Sequence, residues 1–258
     1  MKQMIPLLRS VVLMVLLLCL SACVTSKKYR LAKDDTPPAK HLGYRAVAQP
    51  VELQLETVII FKGPGSWKRE ARWDEYVVKI SNNGDQPLSL DSAQLIDVLG
   101  VPQVPGEDPW KLEKLSYTNW DKYGKTGVKV LAGAGAVLIY AGAVEGVVIG
   151  AGLSGGAAAG GGLVFLGALP IVAVVDITAV AFMNHNNKEK VMAEFERRRL
   201  KLPCVIPVGG SVEGSFFFPM TPGPQRLIVQ GKHGGESCSL TLDLKPLAGL
   251  HLAAPDSK

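Results

Sequence analysis

The sequence predicts an α+β protein in which an antiparallel β-sandwich is divided along the chain by an inserted helical hairpin rich in Gly and Ala. Segments of alternating apolar and polar residues, typical of half-buried strands, occur before residue 100 and return after residue 210. Between them, residues 131–183 carry only two charged side chains, Glu145 and Asp176. Because one membrane span needs about 20 apolar residues, this stretch has room for two helices and a turn.

Residues 1–22 are predicted to be a secretory signal peptide. Lys2 and Arg9 supply the positive start, and residues 11–20 form an apolar core of the length that such signals use. The tetrapeptide Leu-Ser-Ala-Cys at residues 20–23 then resembles the lipobox of bacterial lipoproteins.

The resemblance implies that Cys23 becomes the amino terminus of the mature chain and carries several acyl chains, such as palmitate, which give stable membrane anchoring. It also implies that Val24, in place of Asp, directs the protein to the periplasmic side of the outer membrane of a Gram-negative bacterium. The alternative is an ordinary signal cleaved near Ala22, with Cys23 left as a free thiol.

Charge and cysteine content limit the function classes. Removal of the signal leaves 26 basic and 23 acidic residues, too small an excess to favour nucleic acid as a partner. The mature chain keeps Cys204 and Cys238 besides the modified cysteine. An even pair in an oxidising compartment predicts a disulfide between them, and two buried free thiols are the alternative.

The polar composition of residues 23–50 predicts a flexible tether. Residues 51–127 are expected to supply the first strands of the sandwich, followed by an aromatic and basic flank. Val51, Leu53 and Leu55 begin the alternation, and an Asn-Asn-Gly-Asp turn follows at residues 82–85.

Residues 202–247 are expected to complete the sandwich, and residues 248–258 to form a tail. Neither half has enough strands to be stable alone, so we expect them to pair. Together they resemble the immunoglobulin-like domains of periplasmic lipoproteins, without a sharp motif.

Residues 128–201 are predicted to form the hairpin and a charged helix. Helix one is expected at about 129–151 and helix two at 163–183, followed by a charged helix at 187–201 in which Glu194 pairs with Arg198. Lys, Arg, Trp and Tyr residues flank the apolar run on both sides, as is typical of membrane interfaces.

Glycines repeat every four residues within the apolar run and would let two helices approach closely. They resemble the glycine zipper of two-transmembrane outer-membrane lipoproteins, which implies helix packing and assembly into homo-oligomers in the bilayer. The matching residues are Gly142, Gly146, Gly150, Gly152, Gly156 and Gly160.

Glu145 and Asp176 are the two acids of the apolar run. A carboxylate at the centre of a bilayer is costly, so such acids are either functional or lie at helix ends and protein interfaces. A hairpin that packs dry against protein outside the membrane is the alternative to insertion.

Enzymatic chemistry has little support in the sequence. Residues 150–155 match G-x-G-x-x-G, and Asp176 follows at the spacing of a ribose ligand, which is the pattern of a dinucleotide site. However, the segment between them is too rich in glycine for a good crossover helix, and no further strand–helix units follow. The four histidines show no metal-ligand spacing. We therefore predict no cofactor, no metal and no catalytic residue.

The sequence as a whole predicts a membrane-anchored envelope lipoprotein with a structural or interaction role, whose partners are the lipid bilayer, other copies of the chain and an envelope protein. The first alternative is a soluble, tethered β-module that binds a periplasmic protein. The second is a dinucleotide-binding enzyme.

Overall fold

The computed structural model describes residues 41–63, 65–68, 71–135 and 187–253. These residues form two antiparallel sheets and two main helices, so the α+β class and the sandwich-like arrangement of sheets are confirmed. The strands are β1 (Tyr44–Ala48), β2 (Val51–Ile59), β3 (Trp73–Asn82), β4 (Leu88–Ile96), β5 (Pro102–Gln103), β6 (Cys204–Ile206), β7 (Ser211–Pro219), β8 (Arg226–His233) and β9 (Glu236–Asp243).

Strands from both sides of residues 136–186 contribute to each sheet. The first sheet has the order β1-β2-β3-β7, and the second has the order β5-β4-β8-β9, with β6 also paired to β4. Because β8 pairs along β4 on one edge, β5 and β6 share its other edge. The two parts of the chain therefore form one domain with a common core.

The apolar and polar residues that alternate in the sequence also alternate between buried and partly exposed positions in the structure. In β2, Val51, Leu53 and Leu55 are fully buried, whereas Glu52, Gln54 and Glu56 are partly exposed. These side chains meet those of the second sheet in one apolar cluster that includes Leu88, Leu95, Leu227 and Leu242 among others.

Helix α1 (Pro109–Lys125) packs on the outer face of the first sheet. Asp108 caps its start by accepting hydrogen bonds from the backbone N–H groups of Trp110 and Lys111, and Pro109 occupies the first turn, where no N–H is needed. Residues 187–198 form the described part of a second helix, α2, on the same face. The predicted charged helix is thus confirmed over these residues, as is the ion pair of 2.7 Å between Glu194 and Arg198.

Three predicted boundaries were wrong. Residues 44–48, expected in the tether, form β1, because Tyr44 and Ala46 pack against the core while Arg45 and Val47 face outward. Residues 129–135, expected to begin a helix, are extended or turn backbone, with a bridge between Val130 and Leu252. Residues 248–253, expected in the tail, include the fully buried Leu250 and His251.

The expected disulfide is absent from the structure, where Cys204 and Cys238 are both free. Strand pairing explains why: Cys204 lies opposite Leu90, Leu90 opposite Gly231, and Gly231 opposite Cys238. The two thiols are therefore three strand spacings apart, about 14 Å, whereas a disulfide needs Cα atoms within about 7 Å. Burial raises the pKa of both thiols.

Candidate functional site

The most unusual part of the domain is the start of β3, where charged residues are buried on both faces. Residues 73–76 are all buried, although strand residues normally alternate. Asp74 and Tyr76 face the core between the sheets, and Trp73 and Glu75 face the helices. Through its contacts, this segment also anchors the parts of the chain that precede residue 136 and follow residue 186. We refer to it, with the residues it contacts, as the insertion base.

On the inner face, Asp74 pairs with His251. The His251 Nε2 atom lies 3.0 Å from Asp74 Oδ2, and both side chains are fully buried. His251 Nδ1 accepts a hydrogen bond of 3.0 Å from the backbone N–H of Gly133. A ring nitrogen that accepts carries no proton, so His251 is neutral and donates from Nε2 to the carboxylate. The backbone N–H of Thr221 donates to the same carboxylate oxygen.

The main chain around His251 clamps residues 129–135. The N–H of Leu131 donates to the carbonyl of His251, the N–H of His251 to the carbonyl of Ala134, and the N–H of Ala253 to the carbonyl of Lys129. His251 has a φ of 57°, a conformation that is uncommon outside glycine. Gly135, at φ 76°, is so close that a Cβ atom there would lie 2.8 Å from the Gly249 carbonyl oxygen. The clamp therefore fixes the position of the chain as far as Gly135.

On the outer face, an aromatic cluster holds the described part of α2. The Phe195 ring stacks on Phe217 with a centroid distance of 4.1 Å, and Trp73 meets both rings edge to face at 5.6 Å and 5.3 Å respectively. Val191, one turn earlier in α2, is also buried in this cluster. The two anchors thus converge on consecutive residues of β3, with α2 held by Trp73 and residues 129–135 held through Asp74.

Glu75 joins α2 to the sheet by polar contacts. Its carboxylate accepts hydrogen bonds from Trp67 Nε1 at 2.5 Å and Ser215 Oγ at 2.8 Å, and Arg198 of α2 lies 3.4 Å away. Arg198 also pairs with Glu194 and lies over the Trp67 ring. Hydrogen bonds from Arg197 and from Arg198 lower the pKa of Glu194 to about 2.

Lys68 is a buried cation beside these acids. Its Nζ lies 4.2 Å from the centroid of the Trp73 ring and has no hydrogen-bond partner among the residues that the structure describes. Burial lowers the pKa of Lys68 to about 8, and the charges of Asp74, Glu75 and Glu113 oppose that shift. Among the described residues, Lys68 is thus held by a cation–π contact and by nearby carboxylates, with no direct ion pair to any of them.

The central polar groups of the insertion base are closed to solvent. His251 uses both ring nitrogens on groups of the protein, and neither it nor Asp74 reaches solvent. Within the part of the chain that the structure describes, no group of three His, Cys, Asp or Glu side chains is arranged to hold a metal ion. These contacts attach the chain on either side of residues 136–186 to β3.

Most of the residues predicted from sequence fall outside the part of the chain that the structure describes. Cys23, the acids Glu145 and Asp176 and the G-x-G-x-x-G segment at 150–155 fall outside the described residues, as do the six zipper glycines Gly142, Gly146, Gly150, Gly152, Gly156 and Gly160. Sequence reasoning missed Asp74, Glu75 and Lys68, and it considered His251 only as a metal ligand. Asp74 and His251 are 177 residues apart, so no local pattern could have joined them.

Comparison with protein-family models, curated proteins and solved structures found no match to this chain. Over residues 41–63, 65–68, 71–135 and 187–253, no helix has the length and apolar character needed to cross a membrane.

Proposed function

We propose that this protein is an envelope lipoprotein, attached to the periplasmic face of the outer membrane through acylated Cys23, whose β-domain holds residues 136–186 in or against the bilayer. Its role is structural, or that of an interaction module, and not enzymatic. The observation that carries the proposal is the insertion base, where β3 anchors the chain on both sides of the insertion through Trp73 and Asp74.

A rigid base of this kind is what an inserted hairpin requires, because its two ends must stay close together. We propose that residues 136–186 contain a glycine-zipper hairpin that packs helix on helix and assembles with other copies of the chain. We also assign the sandwich to the immunoglobulin-like class, on the basis of its two antiparallel sheets of short strands.

Lipidation is tested by expressing the full chain in a Gram-negative host supplied with radiolabelled palmitate. We expect the wild type to incorporate label and the Cys23→Ser variant to incorporate none, with Cys204→Ser as the matched control that keeps the label. Label retained by Cys23→Ser, or absent from the wild type, would contradict the anchor.

Val24→Asp tests the sorting, and we expect it to move the protein to the inner-membrane fraction.

The zipper is tested by the size of the detergent-solubilised protein. Gly146→Leu places a large side chain on the proposed packing face, so we expect smaller assemblies than for the wild type. Val147→Leu, one residue away and on another helix face, is the control and should leave the size unchanged. Equal sizes for all three proteins would count against zipper packing.

A tethered module that binds a periplasmic protein is the second candidate, and one observation favours it. Apolar side chains around β5 and β6 are exposed, and both strands lie on the same edge of β4. They are Leu99, Val101, Val104, Val205 and Val208. In this case, Val101→Glu with Val205→Glu would abolish capture of the partner in the periplasm while leaving the protein in the membrane.

A further inference from the structure

Polar side chains on the inner face of helix α1 form hydrogen bonds with the rest of the domain, and these bonds fix the rotation of the helix on the sheet. Ser116 Oγ accepts a hydrogen bond from the backbone N–H of Met220, Asn119 donates to Gln103, and the Tyr123 hydroxyl donates to Asp97 at 2.8 Å. Leu112 is fully buried in the aromatic cluster between these contacts. The opposite face of α1 is consequently held toward the outside of the protein.

That opposite face carries four lysines in one stripe, which we call the lysine face. At 100° per residue, the stripe occupies about 100° of the helix circumference. It consists of Lys111, Lys114, Lys122 and Lys125, with Leu115 and Thr118 between them, and all six are exposed. Asp121, at its edge, is the one acid that α1 exposes, and no ion pair with a described residue neutralises any of the four lysines.

Tyr117 lies next to the lysine face on the helix surface, and Trp120 lies farther around the helix. The Arg72 guanidinium lies over the rings of Tyr117, at 4.6 Å, and Trp120, at 4.9 Å. Tyr117 is 40% exposed and Leu115 is 48% exposed, which is high for large apolar side chains. Cations interleaved with exposed aromatic and apolar groups are characteristic of surfaces that meet lipid headgroups.

Helix α1 is linked to the chain on both sides of the insertion. The chain runs from the end of α1 through the clamped residues 129–135 into the apolar segment. At the other end of α1, the Trp110 ring contacts Lys188, in the first described turn of α2, at 5.7 Å. A bilayer that received residues 136–186 would therefore have α1 next to its surface.

We propose that the lysine face of α1 binds the phosphate groups of anionic phospholipids and so sets the orientation of the domain on the membrane. The inference rests on the proposed function, since the insertion and the lipid anchor bring the domain to the bilayer. Lysine ammonium groups are attracted to a negative membrane surface, and the attraction falls off within a Debye length. The bilayer is the binding partner because lysines and exposed apolar side chains occur together on α1, the helix that leads into the least polar part of the chain.

The test is lysine footprinting of the full chain in proteoliposomes. An amine-reactive acetylating reagent is added, and the modification rate of each lysine is read by mass spectrometry, in vesicles of phosphatidylcholine alone or with 30% phosphatidylglycerol. Lys79, Lys232 and Lys245 are exposed on other parts of the domain and serve as internal references. We expect the four stripe lysines to react about fivefold more slowly in the anionic vesicles, and the protection to disappear at high salt.

Paired variants give the charge control. Lys114→Gln with Lys122→Gln should reduce the protection of Lys111 and Lys125, whereas Lys79→Gln with Lys232→Gln, which removes the same charge elsewhere, should not. Equal stripe reactivity in the two lipid mixtures, with the chain retained in the vesicles, would overturn the inference and leave the membrane anchor standing. A chain that leaves the vesicles altogether would contradict the proposed function and the inference with it.

Discussion

His251 Nε2 and Asp74 Oδ2 lie 3.0 Å apart in the interior, and the second ring nitrogen of His251 accepts the backbone N–H of Gly133. The imidazole thus joins the centre of the sheet to the chain that leads into the insertion. A buried carboxylate needs hydrogen bonds to offset its loss of hydration, and His251 supplies the only one from a side chain within the part of the protein described.

Removal of that imidazole should destabilise the domain strongly. We expect His251→Ala to lower the free energy of unfolding by about 1.5–3 kcal/mol, because it removes a hydrogen bond to a buried carboxylate. Urea unfolding of the full chain in detergent, followed by tryptophan fluorescence, measures the change. His41→Ala is the control, because the side chain is largely exposed, and it should change stability by less than about 0.5 kcal/mol. Similar values for the two variants would show that the pair is not an anchor.

The buried amine of Lys68 should make stability depend on pH. Its pKa is about 8 in the folded protein, against an ordinary value of 10.5 for a lysine in water, so between these pH values the unfolded chain binds more protons. Stability should therefore rise with pH across this window, by up to about 3 kcal/mol, as the folded amine loses its charge. Lys68→Met should be more stable than the wild type near pH 7, with the difference shrinking toward pH 10.5. A difference that does not vary with pH would contradict the depressed pKa.

Apolar packing, not the surface ion pairs of α2, should hold the second anchor. Phe195→Ala should cost about 3–5 kcal/mol because it empties the stack between Trp73 and Phe217. Glu194→Ala, at the neighbouring position, breaks ion pairs that are partly exposed to solvent and should cost less than about 1 kcal/mol. Chemical denaturation of both variants decides the order, and a larger loss for Glu194→Ala would reverse the account of this anchor.

Two glycine-to-alanine changes should have opposite signs. Gly135→Ala introduces a Cβ at φ 76° beside the Gly249 carbonyl, so we expect a loss of more than about 1 kcal/mol. Gly124→Ala lies near the end of α1 with open space around the position, so we expect a gain of about 0.4–1 kcal/mol. Thermal unfolding of the two variants under identical conditions provides the comparison. Two losses of equal size would mean that the close approach at Gly135 does not matter.

The sequence predicted the fold best where burial follows the two-residue period of a strand. The alternating residues of β2 made that strand evident, and the aromatic run of β7 did the same for β7. Helix α1 was missed because polar residues, Ser116 and Asn119, occupy its buried face and break the apolar period. Its Asp108-Pro109 start is nonetheless a recognisable capping signal.

The insertion base could not be predicted for a different reason. Its parts come from six separated segments, around residues 68, 74, 133, 195, 217 and 251, and each residue type has an ordinary explanation in its local context. Burial of Asp74, Glu75 and Lys68 depends on helices that cover the outer face of β3 and on the return of the chain end across the core. Only the tertiary arrangement brings these charges together.

Vesicle flotation of two lipid-free chains tests the central claim most directly. The first is the full chain with Cys23→Ser, and the second adds replacement of residues 136–186 by a short Gly-Ser linker. If the domain presents the insertion to the bilayer, the first chain floats with vesicles of phosphatidylcholine alone, which do not attract the lysine face, and the second stays at the bottom of the gradient with the same cooperative unfolding. A first chain that also stays at the bottom, folded and soluble without detergent, would contradict the account.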